Sequence, residues 1–184
     1  ISSHYSKPVT AVGHSFGGVL SYFACLKRPE LFNAIILLDS PIFSLWKTKL
    51  IGITKFLGLA EYLSPAPNGT KNRRCSWPSH DAAIEHFSSK KAFKIFDPKC
   101  LRDYVYFGTE PVSENSNEIK LRFDPIIEWK IYRMLPSTHA ARLPDNIPCG
   151  LLYGQHSGVI KEYDAKYMVK HYGMKCNKLH DCGH

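Results

Sequence analysis

Pro8-Val9-Thr10-Ala11-Val12-Gly13-His14-Ser15-Phe16-Gly17-Gly18-Val19-Leu20 passes from a short apolar stretch, through a serine flanked by glycines, into a run of small residues. The β-branched and apolar residues up to Val12 predict a strand. Gly18-Val19-Leu20 and the following Ser21-Tyr22-Phe23-Ala24-Cys25-Leu26 predict a helix that ends by Pro29. Ser15 then stands at a strand-to-helix corner. Glycines on either side let the backbone turn sharply, the hydroxyl is lifted above the sheet, and the helix N-terminus points partial positive charge at it. A serine so placed is a candidate nucleophile. Gly-x-Ser-x-Gly alone matches by chance in about 6% of chains of this length, so the strand before it and the helix after it supply the specificity.

The chain has 184 residues, 44% hydrophobic and 22% charged, which suits one soluble globular domain with an adequate core. The net charge of +8 raises the possibility of a polyanion partner. Its basic residues are scattered, however, and the densest groups, Lys71-Asn72-Arg73-Arg74 and Lys90-Lys91, read as solvated faces, so no nucleic-acid partner is expected. No apolar stretch approaches the length of a membrane span. Ile1-Ser2-Ser3-His4-Tyr5 has neither an initiator methionine nor a signal pattern, and the expectation is a start internal to a longer protein. Six cysteines at irregular intervals, without a Cys-x-x-Cys pair, predict free thiols and a cytoplasmic setting. His180, Asp181, Cys182 and His184 superficially resemble a metal tract, but paired cysteines are lacking and no metal is expected. Asn68-Gly69-Thr70 fits a glycosylation acceptor, a tripeptide too frequent to carry weight.

Ala34-Ile35-Ile36-Leu37-Leu38 is continuously apolar, the pattern of a strand buried on both faces of a parallel sheet, and it ends in Asp39. Strand carboxyl ends are where open α/β sheets place ligand-binding residues, so Asp39 and Ser15 are expected on one sheet edge. From Ile42 to about Leu143 the pattern changes to amphipathic helices. Asp97-Pro98 and Asp124-Pro125 read as N-caps with proline at the first helical position, and Ser79 as the cap of a helix through Phe87. Ser64–Gly69 and Glu110–Asn115 are turn-rich connections. A strand through Pro148–Gly154, a helix over Lys161–His171 and a last strand over Met174–Leu179 complete the reading. The resulting domains are 1–41 (core with the corner), 42–143 (inserted helical lid) and 144–184 (core resuming).

The order strand, Gly13-His14-Ser15-Phe16-Gly17-Gly18, helix, strand ending in Asp39, insertion, strand ending in Gly154, helix and Gly183-His184 resembles the second half of a capped α/β-hydrolase-fold serine hydrolase. The resemblance implies an incomplete α/β-hydrolase fold: parallel strands, flanking helices and a lid. It makes Ser15 the nucleophile, the main-chain N–H of Phe16 an oxyanion donor and His184 the general base. The implied activity is cleavage of a carboxylic ester or related acyl bond through an acyl-serine intermediate, with no cofactor. Such proteins often place the triad acid in a Gly-x-x-Asp turn after the penultimate strand, yet Gly154-Gln155-His156-Ser157 puts a serine there. Asp39, at the alternative strand end, is therefore taken as the acid, with Asp164 and Asp181 as weaker candidates. No His-Gly segment of the kind that supplies the second oxyanion donor is present. Losing one such donor costs about 100 to 1,000-fold in rate, so this stretch by itself is expected to be poorly active.

The competing class is an inactive hydrolase-fold binding protein, motivated by Ser157 at the usual acid position. His14 is expected to pack or hydrogen-bond near the site. Phe43, Trp46, Phe56, Leu57, Tyr62, Trp77, Phe87, Phe93 and Phe96 in the insertion imply a small, apolar acyl substrate.

Overall fold

A computed structural model describes residues 7–56, 70–133 and 140–184. The chain divides into two compact units: Ile1–Gly52 with Pro136–His184, and Ile53–Leu135. The second is shorter than the span 42–143, because Ile42, Ala140 and Leu143 are buried in the core of the first. Leu57, Tyr62, the Ser64–Gly69 connection and Asn68-Gly69 lie outside the described residues.

Among the described residues of the first unit, four strands form a wholly parallel sheet in the order β1-β2-β6-β7. They are β1 (Val9–His14), β2 (Phe32–Leu38), β6 (Cys149–Gly154) and β7 (Lys175–Leu179). β2 and β6, the two inner strands, are the most continuously apolar, as burial on both faces requires. Helix α1 (Phe16–Lys27) buries Gly18, Val19, Tyr22 and Cys25, and α6 (Glu162–Tyr172) buries Ala165, Met168 and Tyr172. That three-to-four spacing puts one helical face on the core beside Ile35, Leu37 and Leu151. β7 presents the exposed lysines Lys175 and Lys178, whereas Val12 on β1 is 61% exposed.

Register fixes the site. His14 pairs with Leu38 and Leu38 with Leu152, so β1, β2 and β6 end level. The Ser15 N–H donates to Leu38 O (2.9 Å) and the Asp39 N–H to Leu152 O (2.7 Å), extending the ladder by one residue on each strand. Helix α2 (Leu45–Phe56) follows β2; sequence patterning did not pick it out.

The second unit holds α3 (His80–Ser88), α4 (Pro98–Gly108) and α5 (Pro125–Arg133). The expected caps are formed: Ser79 Oγ accepts from Ala82 N–H (3.2 Å), Asp97 Oδ1 from Lys99 N–H (2.8 Å) and Asp124 Oδ1 from Ile126 N–H (2.7 Å). The unit is not purely helical. β3 (Ser76–Trp77), β4 (Thr109–Pro111) and β5 (Ile119–Leu121) make an antiparallel sheet in the order β3-β5-β4, with the turn-rich Glu110–Asn115 stretch forming the end of β4 and part of the loop to β5. Trp77, Ala83, Phe87, Leu101, Val105 and Ile119 are its core. Among the described residues no helix is long and apolar enough to cross a membrane.

Candidate active site

Ser15 occupies a backbone conformation that side chains rarely adopt, φ 50° and ψ −123°. The corner survives because strand and helix touch through glycines. A Cβ on Gly13 would fall 2.5 Å from Gly18 Cα, and one on Gly18 would fall 2.0 Å from Ser40 Oγ. The buried Ser40 hydroxyl completes the joint by facing Gly13 O and Leu38 O, each at 3.1 Å. Gly17, the second glycine of the five-residue motif, has open space where its Cβ would be. The packing requirement therefore falls on Gly18. Phe16 is the first residue of α1, and N–H groups of a first turn have no acceptor within the helix. The Phe16 N–H is thus free in kind to meet an anion beside the Ser15 hydroxyl.

His184 Nε2 lies 2.9 Å from Ser15 Oγ, and its Nδ1 is in short hydrogen-bond contact with Asp39 Oδ2. The structure therefore brings Ser15, His184 and Asp39, three positions 169 residues apart at the extremes, into one hydrogen-bonded line. His184 is one-third exposed, while Asp39 is buried with φ 45°. Asp164, the first alternative acid, instead pairs with Lys47 Nζ (2.5 Å) and accepts from the Lys161 N–H at the start of α6. Asp181 is an exposed turn residue on the approach to His184.

Ser157 has a role that the sequence did not disclose. Its hydroxyl donates to Asp39 Oδ2 (2.7 Å), the same oxygen that faces His184, and its oxygen accepts from the N–H groups of Val159 and Ile160, both at 3.0 Å. A serine in the turn after β6 thus supports the carboxylate at the end of β2. Among the described residues Asp39 Oδ1 is buried with no hydrogen-bond partner, so Oδ2 carries both contacts. The tail bearing His184 is seated by His156 N–H donating to Cys182 O (2.9 Å) and Gln155 N–H to Leu179 O (2.8 Å). A Cβ on Gly154 would come within 2.2 Å of Gly183 O, so this glycine admits the tail.

His14 lies against His184, ring centroids 4.8 Å apart at 38°. Loss of solvation and the nearby His184 imidazole hold His14 below the ordinary histidine value, against an opposing pull from Asp39. A neutral neighbour spares His184 from repulsion when it takes up a proton. Among the described residues no group of three or more His, Cys, Asp or Glu side chains is arranged to hold a metal ion.

Parallel sheet, sharp serine turn, helix and a returning histidine define the class: the chain has the α/β-hydrolase fold. No family model matches it. Among solved structures, the thioesterase domain from the curacin biosynthetic pathway is similar with a TM-score of 0.64 at 18% identity, over 99% of this chain and 63% of that one. E-2-(acetamidomethylene)succinate hydrolase gives a TM-score of 0.69 at 14% identity, over 97% and 60%. The type I acyl-CoA thioesterase mpaH of Penicillium roqueforti (strain FM164) is 31% identical over 123 residues, 64% of this chain and 26% of that protein. The chain spans about a quarter of the length of the curated relatives it matches.

Proposed function

We propose that the protein hydrolyses a carboxylic ester or a related acyl bond, thioesters included, through an acyl-Ser15 intermediate. The observation that carries this reading is the line from the Ser15 hydroxyl through both nitrogens of His184 to the Asp39 carboxylate. Ser15 Oγ attacks the acyl carbon while its proton passes to His184 Nε2. Asp39 accepts from Nδ1–H, which fixes the tautomer and offsets the charge the ring acquires. The oxyanion meets the Phe16 N–H and the positive end of α1. Collapse expels the alcohol or thiol, protonated by His184. Water then loses a proton to the same Nε2, attacks the acyl-enzyme and releases the carboxylic acid and Ser15. The name borne by the curated relatives puts thioesters beside esters among the bonds to test.

The test is labelling of the whole protein with a fluorophosphonate, alongside turnover of p-nitrophenyl butyrate and butyryl-CoA. Ser15 should label, and Ser15→Ala should lose both labelling and turnover. Asp39→Asn should lower kcat by orders of magnitude; an effect of only a few-fold would remove Asp39 from the orienting role. Folded protein that neither labels nor turns over either substrate would overturn the reading in favour of a non-catalytic binding module.

A further inference from the structure

We propose that the second unit carries a binding site of its own for an amphiphilic anion, an alkyl chain ending in a carboxylate or phosphate. A cavity of about 570 Å³ lies between α3, the segment that follows it and the first turns of α4. That volume falls within the few hundred to about 1,000 Å³ usual for small-molecule sites. Ile84, Phe93, Phe96 and Leu101 give it an apolar wall. The two phenylalanines are held in place by tilted ring contacts, Phe93 at 4.9 Å from Phe87 and 5.0 Å from both Phe96 and Tyr104 between ring centroids. The rings are therefore held to one another and to the unit's core rather than left to fold inward and fill the space.

Charge sets the other half of the recognition. Lys94 and Arg102 line the same cavity, and neither has an ion-pair partner among the described residues. The acidic group on the lining, Asp81, sits in the first turn of α3, where the helix N-terminus already favours its charge. The surrounding stretch Ser88–Arg102 carries Lys90, Lys91, Lys94, Lys99 and Arg102 against Asp97 alone, whose carboxylate accepts the Lys99 N–H as a cap. An alkyl chain removes the apolar wall from water, and an anionic head meets cations that have no other partner. A neutral or cationic amphiphile satisfies only the first of these. The site requires nothing of Ser15.

Calorimetric titration of the whole protein with octanoate, octyl phosphate, octyltrimethylammonium and acetate tests this. Saturable one-to-one binding of both anionic amphiphiles is expected, with the cation weaker by about tenfold or more and acetate silent. The exposed double variant Lys94→Glu/Arg102→Glu, with its melting temperature unchanged, should lose the anionic ligands by at least that factor while Ser15→Ala leaves them bound. Equal binding of cation and anion, or binding indifferent to the double variant, would overturn the proposal. So would the absence of saturable binding. Anionic bilayer vesicles form a further arm: protein that sediments with vesicles but ignores monomeric octyl phosphate would mark a membrane patch and refute a cavity site.

Discussion

Ser15, Asp39 and Asp181 are the non-glycine residues with positive φ among the described residues, and each serves the same small region. Ser15 turns its hydroxyl up at the corner, Asp39 turns its carboxylate under His184, and Asp181 bends the chain on its way to His184. Such conformations cost on the order of 1–3 kcal/mol each and persist only where their surroundings hold them. Ser157 is one such support. Ser157→Ala would leave Asp39 Oδ2 with one donor fewer and two backbone N–H groups without their acceptor. Urea unfolding should show a loss of about 1.5–3 kcal/mol, with kcat falling more than KM rises. The glycines of the corner separate in the same way. Gly17→Ala places a methyl in open, exposed space and should stabilise by about 0.5–1 kcal/mol through helix propensity. Gly18→Ala drives a methyl into Ser40 and Gly13 and should destabilise strongly, read by thermal melting of the two variants side by side.

At the scale of elements, what could be read in the sequence tracks how much of each element is buried. β2 and β6 were plain because inner parallel strands must be apolar on both faces. The caps at Ser79, Asp97 and Asp124 were plain because capping is local chemistry. Strands of two or three residues such as β3 and β5 span too little chain to show a period, so the sheet of the second unit left no trace. Helix α2 was hidden for a different reason: Leu45, Trp46, Leu50, Ile53 and Phe56 are all exposed while Thr48 is buried, which inverts the usual pattern. At the site, the motif pointed to Ser15 and His184, and the strand end to Asp39. Ser157 and Gly154 were illegible, since a hydrogen bond to Asp39 across 118 residues and a close approach by Gly183 exist only once β6 and the tail are assembled. Gly154→Ala tests that assembly. The added methyl must displace the Cys182–Gly183 backbone, so fluorophosphonate labelling should slow by at least about tenfold, while the far-ultraviolet circular dichroism of the sheet and helices is kept.

For the molecule as a whole, six free cysteines lie at different depths, and the buried ones, both in the first unit, give a readout of how tightly that unit holds. Cys25 and Cys149 are buried, and burial pushes the Cys149 thiol up to about 12. A thiol so raised is almost wholly protonated at neutral pH, and the thiolate is the reactive form. In native protein Cys75, Cys100 and Cys182 should therefore react promptly with Ellman's reagent, Cys176 more slowly, and Cys25 and Cys149 only after denaturant is added. Prompt reaction of all six would mean that the core breathes far more than its packing implies.

The ion pair between Lys47 on α2 and Asp164 on α6 sits almost out of reach of water. Removing the cation strands a carboxylate with no countercharge, whereas removing both partners does not. Lys47→Met should therefore lower the melting temperature clearly, and Lys47→Met combined with Asp164→Asn should recover a good part of the loss.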